Sequence, residues 1–174
     1  MERRLVPTSR EVEARLVPTG DPITIPSGVF VTLTQTLGGT YTVIYEGNMA
    51  RIDGQDADAI GLIPEVLEFK PPANGQISHD QITQALCSVY DPEIPVNIVD
   101  LGLIYKYSID EKNVNICMTL TAPGCGMGPV LVQDVEKRLN AVPYVENVNV
   151  ELVFDPPWSR DMMSEEAQLE LGLF

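Results

Sequence analysis

A nine-residue segment, which lies between a strand-like run and a helix-like run, limits most strongly what this chain can fold into. Residues 121–129 read Thr-Ala-Pro-Gly-Cys-Gly-Met-Gly-Pro, so a glycine lies on each side of Cys125. Glycines at these positions permit a sharp turn and the close approach of a partner. Pro129 suits the first turn of a helix, where a missing N–H costs nothing. The segment therefore predicts a thiol at or just before a helix N-terminus.

A thiol in that place favours the thiolate, because unpaired N–H groups and the helix dipole stabilise negative charge. The alternative is a glycine-rich turn between strand and helix in which Cys125 is merely a small residue. The residues of the segment leave both interpretations open.

The charge of the chain limits the classes of partner. With 11 basic and 25 acidic residues the formal net charge is −14 over 174 residues, which argues against a nucleic-acid backbone or an anionic membrane as the main partner. A hydrophobic content of 44% predicts a packed core, in one ordinary domain or two small ones. The acidic surface is either a solvated face, which we favour, or a docking face for a basic partner.

Cysteine and histidine usage indicates a reducing compartment. Cys87, Cys117 and Cys125 form an odd set without CxxC spacing, which does not suit a disulfide framework. One histidine, His79, leaves no zinc site of ordinary spacing. The sequence has no apolar run of the ~20 residues that span a bilayer, and its N-terminus lacks the apolar stretch of a signal peptide. We expect a soluble, cytoplasmic protein without zinc.

The periodicity of apolar residues and the positions of proline and glycine divide the chain into four predicted segments. Residues 1–22 are polar and are predicted to be a loosely held N-terminal arm. Residues 23–70 are predicted to be a small all-β region, because β-branched residues alternate with period two and turn residues separate three strands. Residues 71–77 are a linker candidate rich in proline, glycine and asparagine. Residues 78–174 form the fourth segment.

The fourth segment predicts the order helix, strand, strand, helix, strand, helix. Ser78 and Ser164 are candidate N-caps of its first and last helices. A βαβ unit spans the Cys125 loop, which places the thiol at the carboxyl end of a strand, where ligands tend to bind in open sheets. The fold class is therefore α+β: an α/β two-layer sandwich preceded by a β-meander or barrel-like region.

Acidic residues and a second thiol mark further candidates. Asp91 and Glu93 lie in a proline-containing segment that cannot continue a helix, although both could serve only to cap and end it. Asp100 lies in a dense apolar run, so it needs a partner or a shifted pKa, or it accepts backbone N–H bonds at a strand entrance. Cys117 shares a strand face with two threonines, Thr119 and Thr121, but a packed thiol is its simplest role.

Four stretches resemble the PaaD-like metal–sulfur cluster biosynthesis family. Residues 91–105 and 118–127 resemble the wider family. The Cys-Gly-Met-Gly-Pro form of the loop, the tail at 151–158 that ends in Asp-Pro-Pro-Trp, and residues 35–43 resemble its SufT branch.

The resemblance implies an auxiliary factor in iron–sulfur cluster assembly, which helps to mature or deliver clusters and is not an enzyme. It singles out Cys125 as the metal ligand, with four residues around the same cleft: Asp91, Glu93, Thr119 and Thr121. Because a cluster takes about four thiolates, one cysteine per chain implies a transient cluster, bridged between subunits or shared with a partner. Implied partners are a Suf-type scaffold and apo client proteins, and a homodimer is an open alternative.

Two other functions were weighed against cluster assembly. A thiol enzyme would use Cys125 as nucleophile beside Glu93 or Asp100, but His79 is the one imidazole available as a base. An adaptor or scaffold protein of the assembly machinery would dock partners through the β region and the acidic tail, without binding a cluster.

Overall fold

The structure is a computed structural model that describes residues 3–36, 39–64, 68–91, 94, 96–122 and 126–172. Its described residues divide into two compact units: the first comprises those up to residue 64 together with residue 94, and the second those within 68–91 and 96–172. The first holds a six-stranded antiparallel sheet and the second a three-stranded sheet with helices. The chain is therefore α+β, as the sequence predicts. Among its described residues, no helix is long and apolar enough to cross a membrane.

Antiparallel pairing organises the first unit. Its strands are β1 (Arg4–Pro7), β2 (Val12–Leu16), β3 (Pro22–Ile25), β4 (Phe30–Gln35), β5 (Tyr41–Tyr45) and β6 (Asn48–Ile52). They lie in the order β1-β4-β5-β6-β2-β3, so the consecutive trio β4, β5 and β6 forms the meander expected from the alternation. A 3-10 segment, Gly54–Ile60, follows and ends at Gly61 with φ 75°. Closure into a barrel stays a prediction.

The N-terminal stretch differs from the loosely held arm that the sequence suggested. In β1, Val6 pairs with Val31 of β4, and in β2, Val12 pairs with Ile25 of β3. All four side chains are buried in the core of the unit. The arm interpretation is wrong. Strand β1 has four residues and buries only Val6, and the five-residue β2 buries Val12 and Ala14, so the polar composition of the stretch hides the pattern. The boundaries of the four predicted segments stay predictions.

Arg10, which lies between β1 and β2, forms ion pairs with two residues of the 3-10 segment. Its guanidinium contacts the carboxylates of Asp56 and Asp58, at 2.8 Å in each case. These hydrogen bonds lower the pKa of the Asp58 carboxyl. The acid-rich stretch that begins at residue 53 contains no basic residue of its own. Arg10 provides the positive charge that pairs with two of its carboxylates.

The second unit combines helices with a short sheet. Its elements are α1 (His79–Cys87), β7 (Ile104–Asp110), β8 (Asn113–Met118), α2 (Gly128–Asn140), β9 (Asn147–Leu152) and α3 (Glu165–Glu170). Strands β7 and β8 form an antiparallel hairpin, and β8 pairs in parallel with β9 across α2. The sheet order is β7-β8-β9.

Local sequence explains where these elements begin and what they bury. The hydroxyl groups of Ser78 and Ser164 accept hydrogen bonds from the N–H groups of Gln81 and Ala167, which caps α1 and α3. Strand β8 buries alternate residues, and helix α2 buries a stripe of apolar residues at helical spacing. The stripe consists of Leu131, Val135 and Leu139.

Replacing Val12 by alanine tests the role of the N-terminal strands. Val12 is 2% exposed, so Val12→Ala should lower the free energy of unfolding of the first unit by about 2 kcal/mol. Urea unfolding followed by far-UV circular dichroism measures the loss. Leu5→Ala is the matched control, because Leu5 is 63% exposed and its truncation should change stability by no more than about 0.5 kcal/mol. Equal small effects would restore the arm interpretation.

Candidate functional site

An asparagine-centred turn leads into β7. The Oδ1 atom of Asn97 accepts hydrogen bonds from the N–H groups of Val99 and Asp100, at 3.0 and 2.9 Å. Its Nδ2 atom donates to Oδ2 of Asp100 at 2.8 Å. Asparagine stabilises turns in this way because its side chain reproduces backbone hydrogen bonding. Asp100 thus has a side-chain amide partner, and its place in this turn is structural.

Three fully buried apolar residues of the same turn anchor it in the second unit. They are Ile98, Leu101 and Leu103, each 0% exposed. The N–H of Ile98 donates to the carbonyl oxygen of Val89 at 2.9 Å, which ties the turn to the end of α1. The carbonyl oxygen of Leu103 accepts from the N–H of Thr119 at 2.8 Å, which ties it to the end of β8. The turn therefore connects the two segments that contain the candidate site residues.

The Asp-Pro-Pro-Trp tail packs on the outside of this turn. Trp158 donates its indole N–H to the carbonyl oxygen of Leu101 at 2.6 Å. Tyr105 donates its hydroxyl to the carbonyl oxygen of Pro156, also at 2.6 Å. Trp158 is half-buried, so it covers the turn and holds it by one directed bond. The bond joins residues 57 positions apart, so no local pattern of the sequence predicts it.

Asp91 lies in the segment that follows α1, and its backbone bonds to a residue further along that segment. Its side chain is 5% exposed, and its N–H donates to the carbonyl oxygen of Val96 at 3.3 Å. Tyr90 and Asn97 form an isolated antiparallel bridge beside this contact. Asp91 thus lies at the start of the proline-containing segment that holds the two acidic residues predicted for the site. Glu93, the second acid of that segment, lies outside the described residues.

Thr119 is a buried polar residue at the end of β8. It is 0% exposed, and its hydroxyl oxygen has no hydrogen-bond partner among the described residues. An unpaired buried hydroxyl costs on the order of 1–3 kcal/mol, so its retention calls for an explanation. Thr121, two residues further on, is half-buried.

The strand and the helix on either side of the cysteine loop approach each other closely. Helix α2 begins at Gly128, and no side chain caps its first turn at Met127. A Cβ atom on Gly128 would lie 2.9 Å from Cδ1 of Leu120, so glycine permits this approach. The helix thus begins three residues after Cys125, as the sequence predicts for its first turn. Cys125 itself lies outside the described residues.

The two cysteines that the structure describes lie in other surroundings. Cys87 is half-buried in α1, and burial, followed by the charge of Asp100, raises the pKa of its thiol. A raised pKa leaves less thiolate at neutral pH, which makes Cys87 a poorer nucleophile and metal ligand. Cys117 is half-buried on β8 and lines a surface pocket of about 320 Å³ on the sheet. Within the described ranges, no group of three or more His, Cys, Asp or Glu residues could hold a metal ion.

Comparison with known proteins identifies the second unit. A family described as "Iron-sulfur cluster assembly protein" matches residues 79–152, from the first residue of α1 to the last residue of β9. An "Fe-S protein maturation auxiliary factor" of Porphyromonas gingivalis is 47% identical over 96 residues, which cover 55% of this chain and 91% of that protein. The "Fe-S protein maturation auxiliary factor SufT" of Staphylococcus aureus is 43% identical over 86 residues, 49% of this chain and 98% of that one.

A solved structure agrees with these relatives. A domain of unknown function, DUF59, from Bacillus anthracis has a TM-score of 0.51 and 42% identity, covering 55% of this chain and 92% of that one. The second unit is thus an α+β domain of the DUF59 type. The chain belongs to the family of iron–sulfur cluster assembly proteins, and the resemblance seen in residues 91–105 and 118–127 is confirmed. Both curated relatives are named as auxiliary factors, and neither name describes a catalyst.

Sequence reasoning missed the residues that hold this region in place. Asn97 makes bonds within the turn and Trp158 donates a bond to it, while Tyr105 of β7 donates a bond to the tail. One signal was present for Asn97, because asparagine favours turns in which its side chain bonds the backbone two residues further on. No signal was present for the two aromatic side chains, since their partners are carbonyl groups more than fifty residues away.

Replacing Gly102 by alanine tests the packing of the tail on the turn. Gly102 has φ +78°, and a Cβ there would collide with the carbonyl oxygen of Met162. Gly61 has a similar φ, +75°, with nothing within 4 Å. Gly61→Ala should therefore cost about 1 kcal/mol for the left-handed conformation alone, and Gly102→Ala about 3 kcal/mol or more, because backbone must also move. Urea unfolding of the two variants measures the difference; equal losses would contradict a tightly packed tail.

Proposed function

We propose that this protein is an auxiliary factor of iron–sulfur cluster assembly, which helps to mature apo-proteins or deliver clusters to them through the loop thiol of Cys125. The observation that carries the proposal is the fully buried Thr119, whose hydroxyl lacks a partner among the described residues. Thr119 directly follows β8, in the segment that leads into the Cys125 loop. The names of the curated relatives support the same class of function.

An unpaired hydroxyl beside the loop suits a ligand that arrives from outside the chain. A hydroxyl hydrogen bond to a thiolate or to a bound sulfide would stabilise negative charge on sulfur. It would also satisfy a donor that is otherwise buried without a partner. In this proposal Thr119, Thr121, Asp91 and Glu93 surround the thiol, and Cys125 is the metal ligand.

The cluster in this proposal is cargo that the protein passes on. Iron–sulfur clusters take about four thiolates, and the loop supplies one per chain. The remaining ligands would come from a donor protein, a client or a second copy of the chain. Incomplete ligation favours release, which suits delivery better than storage or electron transfer. A Suf-type scaffold, apo client proteins and a cytoplasmic location follow from the same proposal, and it needs no zinc.

An adaptor without cluster binding is the second candidate. Its support is the first unit, which lies outside the matched residues 79–152 and could serve recognition alone. The two candidates differ in their need for the thiol, because an adaptor would bind its partners equally well without Cys125.

Replacing Cys125 by serine separates the two functions. Cys125→Ser should lower the activity of iron–sulfur enzymes more than about tenfold in cells that carry the variant in place of the native chain, because serine cannot supply the thiolate. Cys87→Ser and Cys117→Ser are matched controls and should keep near-normal activity. Normal maturation in the Cys125→Ser cells, with unchanged partner capture, would reject the transfer factor and support the adaptor.

Replacing Thr119 by valine tests whether its hydroxyl serves function or stability. Valine has the same shape without the unpaired hydroxyl, so Thr119→Val should leave stability unchanged or raise it by about 1 kcal/mol. Client maturation should nevertheless fall several-fold, whereas Thr119→Ser, which keeps the hydroxyl, should mature clients at a rate close to that of the native chain. Thermal unfolding and enzyme activity in cells measure the two effects. Full maturation by Thr119→Val would show that the hydroxyl has no part in the site.

A further inference from the structure

One face of the three-stranded sheet is polar. On the central strand β8, Asn113, Asn115 and Cys117 alternate with buried apolar residues and are half-buried. Side chains of β9 lie on the same side, because Nδ2 of Asn147 donates to Oδ1 of Asn113 at 2.9 Å and Nδ2 of Asn149 donates to Oδ1 of Asn115 at 3.1 Å. This surface, called the open face below, consists of alternate residues of each strand: Lys106 to Asp110, Asn113 to Cys117 and Asn147 to Glu151.

The register of the sheet places opposite charges at the two ends of one row. Cys117 pairs with Lys106 of β7 and with Glu151 of β9. All three residues line the pocket of about 320 Å³ on the sheet, and the two charged side chains are exposed. Neither Lys106 nor Glu151 forms an ion pair with a described residue. The row therefore presents an unpaired cation and an unpaired anion, about 10 Å apart across three strands.

This row is complementary to a second copy of itself. Two sheets can pack face to face, about 10 Å apart, with their strands nearly aligned. When the two-fold axis runs along β8, Lys106 of each copy faces Glu151 of the other, and Cys117 lies opposite Cys117. An axis that crosses the strands at this row would instead bring like charges together, which costs free energy. The charges therefore select the axis along β8.

The other two rows of the open face match under the same axis. Ser108 and Asn149 are the end residues of the second row, and Asp110 and Asn147 are those of the third. The axis places each of them against the opposite end residue of its row. A hydroxyl then meets an amide, and a carboxylate meets an amide; both are hydrogen-bonding pairs. No two carboxylates of the open face meet in this arrangement.

The size of the open face determines how strong such a contact can be. Three strands with five residues each present roughly 200–300 Å² per copy, well below the ~800 Å² per partner of a standard interface. The formal charge of −14 on each copy adds repulsion, although salt screens it beyond about 8 Å at physiological ionic strength. Self-association through this face is therefore weak and transient.

We propose that the open face binds a second copy of this chain, as a weak dimer whose two-fold axis runs along β8. The complementary rows supply the specificity, because each copy offers the same surface to the other. This goes beyond the proposed function, since the contact requires neither Cys125 nor a cluster. Cys125→Ser should accordingly leave self-association unchanged, so failure of the proposed function would not affect the result.

Charge exchange between the ends of the row tests the proposal on the full chain. Sedimentation equilibrium of the native chain should give a dimer with a Kd on the order of 0.1–1 mM at physiological salt. Lys106→Glu and Glu151→Lys should each raise the Kd at least about fivefold, because like charges then face each other twice. An equal mixture of the two variants should associate with the native Kd or a lower one, because every contact then joins Lys and Glu.

A control variant separates the open face from the net charge of the chain. Lys137 is an exposed residue of α2, so it lies outside the open face. Lys137→Glu makes the same charge change as Lys106→Glu, and it should change the Kd by less than about twofold.

Disulfide formation tests the direction of the axis. A chain with Cys117 as its single cysteine, through Cys87→Ser and Cys125→Ser, should form a linked dimer on mild oxidation with copper–phenanthroline, since facing sheets can be joined by a disulfide. The control adds Asn149→Cys and Cys117→Ser, which moves the single thiol to the edge strand. The two copies of that thiol would lie about 10 Å apart on opposite sides of the axis, so linkage should be at least about fivefold slower. Non-reducing electrophoresis measures both rates.

Four outcomes would overturn the proposal. They are a native chain that stays monomeric up to about 1 mM, equal effects of Lys106→Glu and Lys137→Glu, a mixture of the charge variants that associates no better than either alone, and equal rates of linkage for the two single-cysteine chains. The first uses the native chain, so it does not depend on whether a variant folds.

Discussion

The turn that begins at Asn97 is the feature on which the second unit depends. The Asn97 side chain satisfies two backbone N–H groups and the Asp100 carboxylate within four residues. The turn can therefore bury Leu101 and Leu103 completely without leaving these polar groups unpaired. Its backbone bonds then reach α1 on one side and β8 on the other. These bonds hold the segments that contain Asp91 and Thr119 against the turn.

Buried polar groups in this region divide into two kinds. Those of the turn have partners, which is the usual condition of buried polar atoms. The hydroxyl of Thr119 has none among the described residues, although it lies at the end of a well-packed strand. Burial without a partner lowers stability and is found where a ligand completes the bonding. This contrast sets Thr119 apart from the structural residues around it and supports its assignment to the proposed site.

Much of the second unit could be predicted because its signals are local. Ser78 and Ser164 act within one helical turn, and the alternation along β8 depends only on neighbouring residues. The N-terminal strands could not be predicted, because β1 and β2 find their partners in β4, β3 and β6. A strand of four or five residues carries too little periodicity to be distinguished from a polar arm.

The sequence by itself determined the family and the α+β class, because both depend on motifs and periodicities of residues that are adjacent in the chain. Tertiary structure alone decided that Trp158 and Tyr105 bind carbonyl groups of distant segments. It likewise decided that Asp100 has an amide partner, whereas the hydroxyl of Thr119 has none among the described residues. The physical reason is that burial and hydrogen-bond partners come from packing across the chain, which no local pattern encodes.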